Sequence, residues 1–433
     1  MNFIKKYCLK GIRTGLFFLA LSAVMSARSQ TAAGVSGQIM DSVSGAVLPF
    51  AQLALGNSTL GTVSNEDGRF YLQVPAFHAR DTVYIIYLGY ERARIAVSGM
   101  LNRDNLIRLK PKEVSLKEVE VLALTPQEVL RRTFNRISEN YGSDSVLLTA
   151  FYRSQKFAGK KLAEYAEAVI EDMKAGYFTQ NSMKEFRENS ATSNSTRLVK
   201  GRVVSDTALV NSLGDVGKMA GCLGCIFMTD PAENNFRTVL DEEVFRFYSL
   251  KMEEIANPEG GKIYHIWFDQ LKKNIRGFKG ELFIDGSSFA LMKMTQSPSF
   301  NAFEQYEKDK YKKTYGINNT GGWIAEMPLI NRTIVYSRRE GKWCLSIVHD
   351  EQWVTFTQPS NGQKIRMGYK NDLVITDVCR DVCVLRSFKG DKKTGGSQRW
   401  DQLAGQADEG FWAKFNYLPV EESLRSAIQG IGK

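Results

Sequence analysis

The sequence predicts a mainly β protein: a small N-terminal β-sandwich, then an α+β domain built on one large curved antiparallel sheet. Three observations predict it. Residues 34–110 alternate apolar and polar at period two, with turn signals every eight to twelve residues. A single strongly amphipathic helical stretch follows at residues 125–142. From residue 241 the alternating runs return and are longer than before.

The first thirty residues stand apart from both units. "MNFIKKYCLKGIRTG" is basic and free of acids, "LFFLALSAVM" is an apolar run of ten, and "SARSQ" offers small residues to a peptidase. That order is the order of a secretory signal peptide, residues 1–30. The run falls short of the ~20 apolar residues that span a bilayer, and no transmembrane segment is expected in the mature chain. Cys8 precedes the apolar run, where it is wrongly placed for a lipoprotein anchor.

With 433 residues, 43% apolar and 24% charged, the chain can build two or three packed cores, which excludes a disordered or fibrous protein. Lys5, Lys6, Lys10, Arg13 and Arg28 carry five of its ten net positive charges. The remaining surplus is modest and dispersed, so nucleic acid is not expected as a partner. Five cysteines lie beyond residue 30: Cys222, Cys225, Cys344, Cys379 and Cys383. In an exported protein an odd number leaves at least one thiol unpaired within the monomer.

Taken in order, "GVSGQIMD" and "VLPFAQLAL" read as the first strands of an antiparallel sandwich. "TLGTVS" and "RFYLQVP" read as a hairpin closed by the acidic turn Asn65-Glu66-Asp67-Gly68. That turn has oxygen ligands suited to calcium, but a Gly-closed turn joining two strands accounts for it fully. "DTVYIIYLGYERARIAV" is strand, turn at Gly89-Tyr90, strand, and "NLIRLKP" closes the unit.

In "LTPQEVLRRTFNRISENYG", Thr125 is placed as N-cap, Pro126 as first helical residue and Glu128 as the third, a capping box. Val129, Leu130, Phe134, Ile137 and Tyr141 form its apolar face, and Gly142 ends it. "SVLLTAFYRSQKF" and "KLAEYAEAVIEDM" read as a hairpin around "AGK", although helix propensity competes in the second half. Residues 179–240 are polar and Ser/Asn-rich and read as a long loop region with short helices. "GKIYHIWFDQL", "GELFIDGSSFALMKM", "NRTIVYSRREGKWCLSIVHD" and "YKNDLVITDVC" are then strands of the large sheet, and a short helix is expected near residues 420–429.

The ordered elements "GVSGQIMDSVSGAVLPFAQLAL", "GTVSNEDGRFYLQVP", "YLGYERARIAV" and "LIRLKPKEVSLKEVEV" resemble the carboxypeptidase regulatory-like domain over residues 34–121. That resemblance implies an Ig/transthyretin-like sandwich without peptidase residues, found at the front of exported proteins of Gram-negative bacteria. Residues 125–430 form the second domain. There "LTAFYRSQ", "YAEAVI", "GELFIDGSSFALMKM" and "FWAKFNYLPVEESLRSAI" resemble uncharacterised exported proteins that begin with the same domain, which implies no catalytic residues. After the sandwich only about 310 residues remain, too few for the plug and 22-stranded barrel of an outer-membrane receptor.

Residue chemistry agrees with a non-enzymatic expectation. His78, His265 and His349 are isolated, with no H-E-x-x-H and no G-x-S-x-G in the chain. Cys222 and Cys225 have C-x-x-C spacing but no α/β unit around them, and read as a local disulfide or as plain loop cysteines. Cys379 and Cys383 fall on one face of an apparent strand, a poor reach for a zinc site shared with them. "GDVGKM" is too short for a phosphate loop. No cofactor, metal or catalytic residue is therefore expected.

Trp323, Trp343, Trp353, Trp412 and Tyr417 are the candidates for an apolar or glycan-binding surface, against the plainer role of aromatics in a β core. The expected protein is exported, periplasmic or outer-membrane-associated, and binds an envelope protein or an apolar or glycan ligand through its C-terminal domain. The alternatives are a hydrolase of envelope peptide or glycan, and a structural spacer in an outer-membrane complex.

Overall fold

The structure is a computed structural model. It describes residues 33–112, 124–178, 194–217, 226, 229–233, 238–257, 260–271, 278–299, 323–325, 329–392, 409–412 and 414–431. The expected signal peptide, Cys222 and Cys225 lie outside the described residues.

The chain is mainly β, as its periodicity predicts. Its first unit is a sandwich of two small sheets. Strands β1 (Ala33–Asp41), β4 (Arg69–Val74) and β7 (Asp104–Leu109) form one sheet in the order β4-β1-β7. Strands β2 (Gln52–Leu55), β3 (Gly61–Val63), β5 (Thr82–Ile86) and β6 (Ala93–Ala96) form the other, in the order β3-β2-β5-β6. Val35, Ile39, Leu53, Phe70, Leu72, Val83 and Ile85 fill the space between them and are almost wholly buried.

Two expectations are corrected here. The sandwich is not purely antiparallel, because β1 and β7 pair in parallel from Ser36↔Asp104 to Asp41↔Leu109. Nor is the 58–75 stretch a hairpin. β3 pairs with β2 and β4 pairs with β1, so the acidic turn carries the chain from one sheet to the other. Its backbone explains the corner. The Asn65 side-chain oxygen accepts from the Asp67 and Arg69 amides at 3.0 and 2.8 Å, and Gly68 sits at φ +72°.

Helix α1 (Pro126–Asn135) starts where its cap was expected, with the Thr125 hydroxyl accepting from the Glu128 amide at 3.2 Å. It breaks at Arg136 and resumes as α2 (Ile137–Tyr141), which Gly142 ends at φ +92°. The Glu128 carboxylate turns to Arg131 and Arg132 instead of the cap. Val129, Leu130, Ile137 and Tyr141 are buried against the large sheet, and each such side chain contributes about 1.5–3 kcal/mol.

Among the described residues that sheet has twelve strands, all in antiparallel pairs. β8 (Val146–Ala158) and β9 (Lys161–Lys174) form the second hairpin, so cross-strand pairing overrides the helix propensity of "AEYAEA". β10 (Asn194–Ser205) extends it and corrects the reading of 179–240 as loop: a mainly polar strand next to the sheet edge carries little apolar signal. The chain then passes α3 (Thr207–Ser212), α4 (Gly214–Gly217) and α5 (Glu242–Phe245) to the opposite edge.

From that edge it returns as a meander: β11 (Tyr248–Ala256), β12 (Lys262–Gln270), β13 (Phe278–Asp285), β14 (Leu291–Pro298), β16 (Leu329–Arg339), β17 (Lys342–Thr357) and β18 (Lys364–Cys379). β18 closes the order by pairing with β8. The short β15 (Ile324–Ala325) pairs with β17 and β19 (Asp391–Lys392) with β10. Between β16 and β17, Glu340 and Gly341 both have positive φ, as a two-residue hairpin turn demands.

Alternation divides the sheet into two buried faces. Leu148, Ala150, Ile170, Ile266, Leu282 and Leu345 face the helices. Phe151, Val169, Val335, Ile347 and Val374 face the sandwich and the C-terminal segment, which holds α7 (Glu409–Trp412) and α8 (Glu422–Gln429). One further correction concerns the cysteines. Cys379 ends β18, but Cys383 lies in the helix α6 (Val382–Ser387) that Asp381 caps, so the two do not share a strand.

Candidate functional site

The two units meet over the second face of the sheet, and the meeting surface is polar as well as apolar. The Val63 side chain packs with Phe151, Val335, Ile347, Trp412 and Leu418. The Gln52 amide donates to the Tyr336 carbonyl at 3.1 Å, and Arg339 donates to the Thr59 carbonyl at 3.0 Å. The acidic corner docks on the C-terminal segment. Asn65 donates to the Pro419 carbonyl at 2.9 Å, and the Asp67 carboxylate accepts from the Glu422 amide at 2.9 Å, at the start of α8.

Under that corner lies a buried charge network. Arg153, 0% exposed, donates to Glu167 and Glu421 at 3.0 and 3.1 Å and to the Leu418 carbonyl. Arg202 also donates to Glu167. His349 is paired with Asp372 at 2.7 Å and faces Glu66 of the corner at 3.6 Å, with Lys370 3.9 Å from Glu66 on the other side. Burial lowers the affinity of His349 for its proton, but Asp372 and Glu66 outweigh it and push the pKa up to about 8. Burial pushes Glu421 up to about 7 against the opposing pull of Arg153.

Beside the network the contact opens into a cavity of about 200 Å³. Its sandwich wall carries Phe50, Tyr87, Tyr90 and Arg92, and its sheet wall carries Lys293, Arg338 and Trp343. Tyr87 and Tyr90 flank the Gly89 turn and meet edge to face at 5.2 Å. The Tyr90 hydroxyl donates to Asp41 at 2.7 Å, and burial with that bond pushes its pKa up to about 12. Lys293 lies 6.0 Å above the Tyr87 ring, and burial lowers its pKa against a weaker pull from Glu281.

Phe50 joins cavity and network. Its ring lies 5.0 Å from that of His349, and its backbone sits at φ +61°, where a bulky residue pays about 1–2 kcal/mol. The strain is held by neighbours: the Phe50 amide donates to the Ser64 carbonyl at 3.0 Å.

The five aromatics singled out from the sequence are dispersed by the fold. Trp343 lines the cavity. Trp412 packs into the contact between the units with Arg202 above it at 4.6 Å, and Tyr417 stacks on Tyr71 of the sandwich at 4.4 Å. Trp353 lies over Gly368, near Phe157 and Arg366, and Trp323 packs against Val354, Phe356 and Met367. Missed from the sequence were Phe50, Tyr87, Tyr90, Lys293 and Arg338. "YLGY" held one signal, two aromatics fixed by a turn; the other positions become neighbours only through docking.

Cys344, Cys379 and Cys383 are free thiols. Among the described residues no three His, Cys, Asp or Glu side chains are placed to hold a metal, and no helix is long and apolar enough to cross a membrane.

Residues 35–121 match the family model of the CarboxypepD_reg-like domain. No curated protein matches the chain. Among solved structures, the chain is similar to a candidate outer membrane lipoprotein-sorting protein domain from Vibrio parahaemolyticus, with 10% identity over 59% of this chain and 95% of that one, at a TM-score of 0.24. It is also similar to Pseudomonas aeruginosa MucB in complex with MucA, with 10% identity over 58% and 98%, at a TM-score of 0.19. A LolA superfamily protein from Nitrosomonas europaea has 8% identity over 59% and 95%, at a TM-score of 0.18.

Proposed function

We propose that this is an exported, non-enzymatic protein of the Gram-negative cell envelope that binds a ligand at the contact between its sandwich and its C-terminal sheet. The signal-type N-terminus and the matched domain support export to the periplasm or the outer membrane. The observation that carries the binding reading is the cavity. Its walls are aromatic and apolar with a few convergent polar groups, the usual make-up of a small-molecule site. Among its described lining residues there is no carboxylate, and a glycosidase-type mechanism requires two.

Native mass spectrometry of the mature protein, incubated with envelope lipid and glycan extracts, tests the reading. A retained small molecule is expected, and substituting Tyr87→Ala should release it. Retention that survives in Tyr87→Ala would move the site elsewhere. Release of cleaved product from the extracts would replace binding with hydrolysis, and retention of nothing would leave the structural spacer.

A further inference from the structure

We propose that the cavity takes an amphiphilic anion: a small apolar or aromatic body that carries a carboxylate or a phosphate. This rests on the binding reading above and adds the charge and shape of the ligand.

The charge follows from two side chains. Lys293 projects from β14 over the rings of Tyr87 and Phe283, at 6.0 and 5.7 Å. It is partly withdrawn from water, yet no carboxylate or hydrogen-bond acceptor pairs with it among the described residues. The counter-charge that acts on it, Glu281 on the adjacent strand, is engaged with His265 at 3.2 Å. Arg338, on β16, is exposed and likewise without a carboxylate among the described residues, whereas Arg92 on the sandwich wall is already held over the Tyr84 ring at 4.3 Å. Withdrawing an ammonium group from water is costly unless a partner compensates it. A cation would be repelled here, and a neutral apolar guest would leave Lys293 uncompensated.

The shape follows from the remaining walls. Phe50, Tyr87, Trp343 and Met292 offer flat and apolar surface to the body of the ligand. The Tyr87 hydroxyl has no partner among the described residues and is free to donate to the anionic end. At about 200 Å³ the space is smaller than the ~300–1,000 Å³ of drug-sized sites, so it suits a small molecule or one end of a longer one.

Isothermal titration calorimetry on the full exported chain tests this with octanoate and phenyl phosphate as probes, and octanol and phenol as their neutral counterparts. The two anions separate a carboxylate source from a phosphate source. At least one anion should bind, about tenfold or more tighter than its neutral counterpart, and more weakly as salt is raised. Lys293→Gln should remove most of that preference. Arg338→Gln, an exposed change that leaves packing untouched, should reduce it in the same direction even if Lys293→Gln folds poorly. Neutral probes binding as tightly as the anions would overturn the anion inference and leave the binding reading standing. If no probe binds, while Tyr87→Ala still abolishes retention of an envelope molecule, the inference likewise falls alone. If neither is seen, both fall.

Discussion

The docking of the sandwich onto the sheet should depend on pH through His349. Its partners are Asp372, on the neighbouring strand of the same sheet, and Glu66, on the sandwich corner, with Lys370 beyond Glu66 and the Phe50 ring against its face. A histidine whose pKa is higher folded than unfolded adds stability that is complete below the unfolded value, and loses it as pH rises through the folded one. Here the rise from 6.5 to about 8 corresponds to about 2 kcal/mol. Glu421, raised by burial to about 7, acts with the same sign over a lower window, from about 4.5 to 7. The assay is urea unfolding followed by tryptophan fluorescence, at about pH 6 and about pH 9, for the wild type and His349→Gln. Comparing the two proteins cancels the titrating groups that do not touch residue 349. The gap between them should shrink by about 2 kcal/mol from the lower to the higher pH. A gap that stays constant with pH would refute the assignment of the switch to His349.

Three further substitutions probe the same architecture. Arg153→Met leaves Glu167 and Glu421 buried without their shared partner, and should cost about 3–5 kcal/mol in chemical denaturation; a loss under about 1 kcal/mol would mean that the network relaxes into solvent. Gly68→Ala places a Cβ 2.6 Å from the Ile39 carbonyl at φ +72°, and should lower the thermal midpoint through a cost of at least about 1–2 kcal/mol. Tyr336→Phe removes the hydroxyl that donates to Asp230 at 2.5 Å, beside the buried Lys174, and should cost about 1–3 kcal/mol.

Local signals in the chain were strong where the physics is local. Thr125, Pro126 and Gly142 mark the helix ends because capping depends on neighbours in sequence. Runs of apolar and β-forming residues identified β8, β9 and β12 to β14, although β8 and β9 are buried on both faces. The same signal misses the mainly polar β10 next to the sheet edge, and although it marks β3 as a strand it does not foretell that all three residues of "GTV" are buried. Val63 packs into the cluster formed with the large sheet, away from the sandwich core. A strand pattern says which side chains avoid water, but not how many layers cover them.

The acidic corner shows why the candidate site was less legible than the fold. Asn65, Gly68 and the flanking strands are explained by turn chemistry alone, and that explanation is correct as far as the backbone goes. Glu66 and Asp67 are surplus to it. Their partners, His349 and the Glu422 amide, lie nearly 300 residues or more along the chain, and pairing over that separation leaves no local trace. Residues that a turn does not need, placed at its tip, are therefore the ones to test for long-range contacts. Glu66→Gln keeps the turn and removes one of the two carboxylates that hold the His349 proton. It should lower the His349 pKa while leaving the sandwich core intact, which NMR titration of the imidazole can read directly. An unchanged pKa would place the whole effect in Asp372 and make the corner a passive contact.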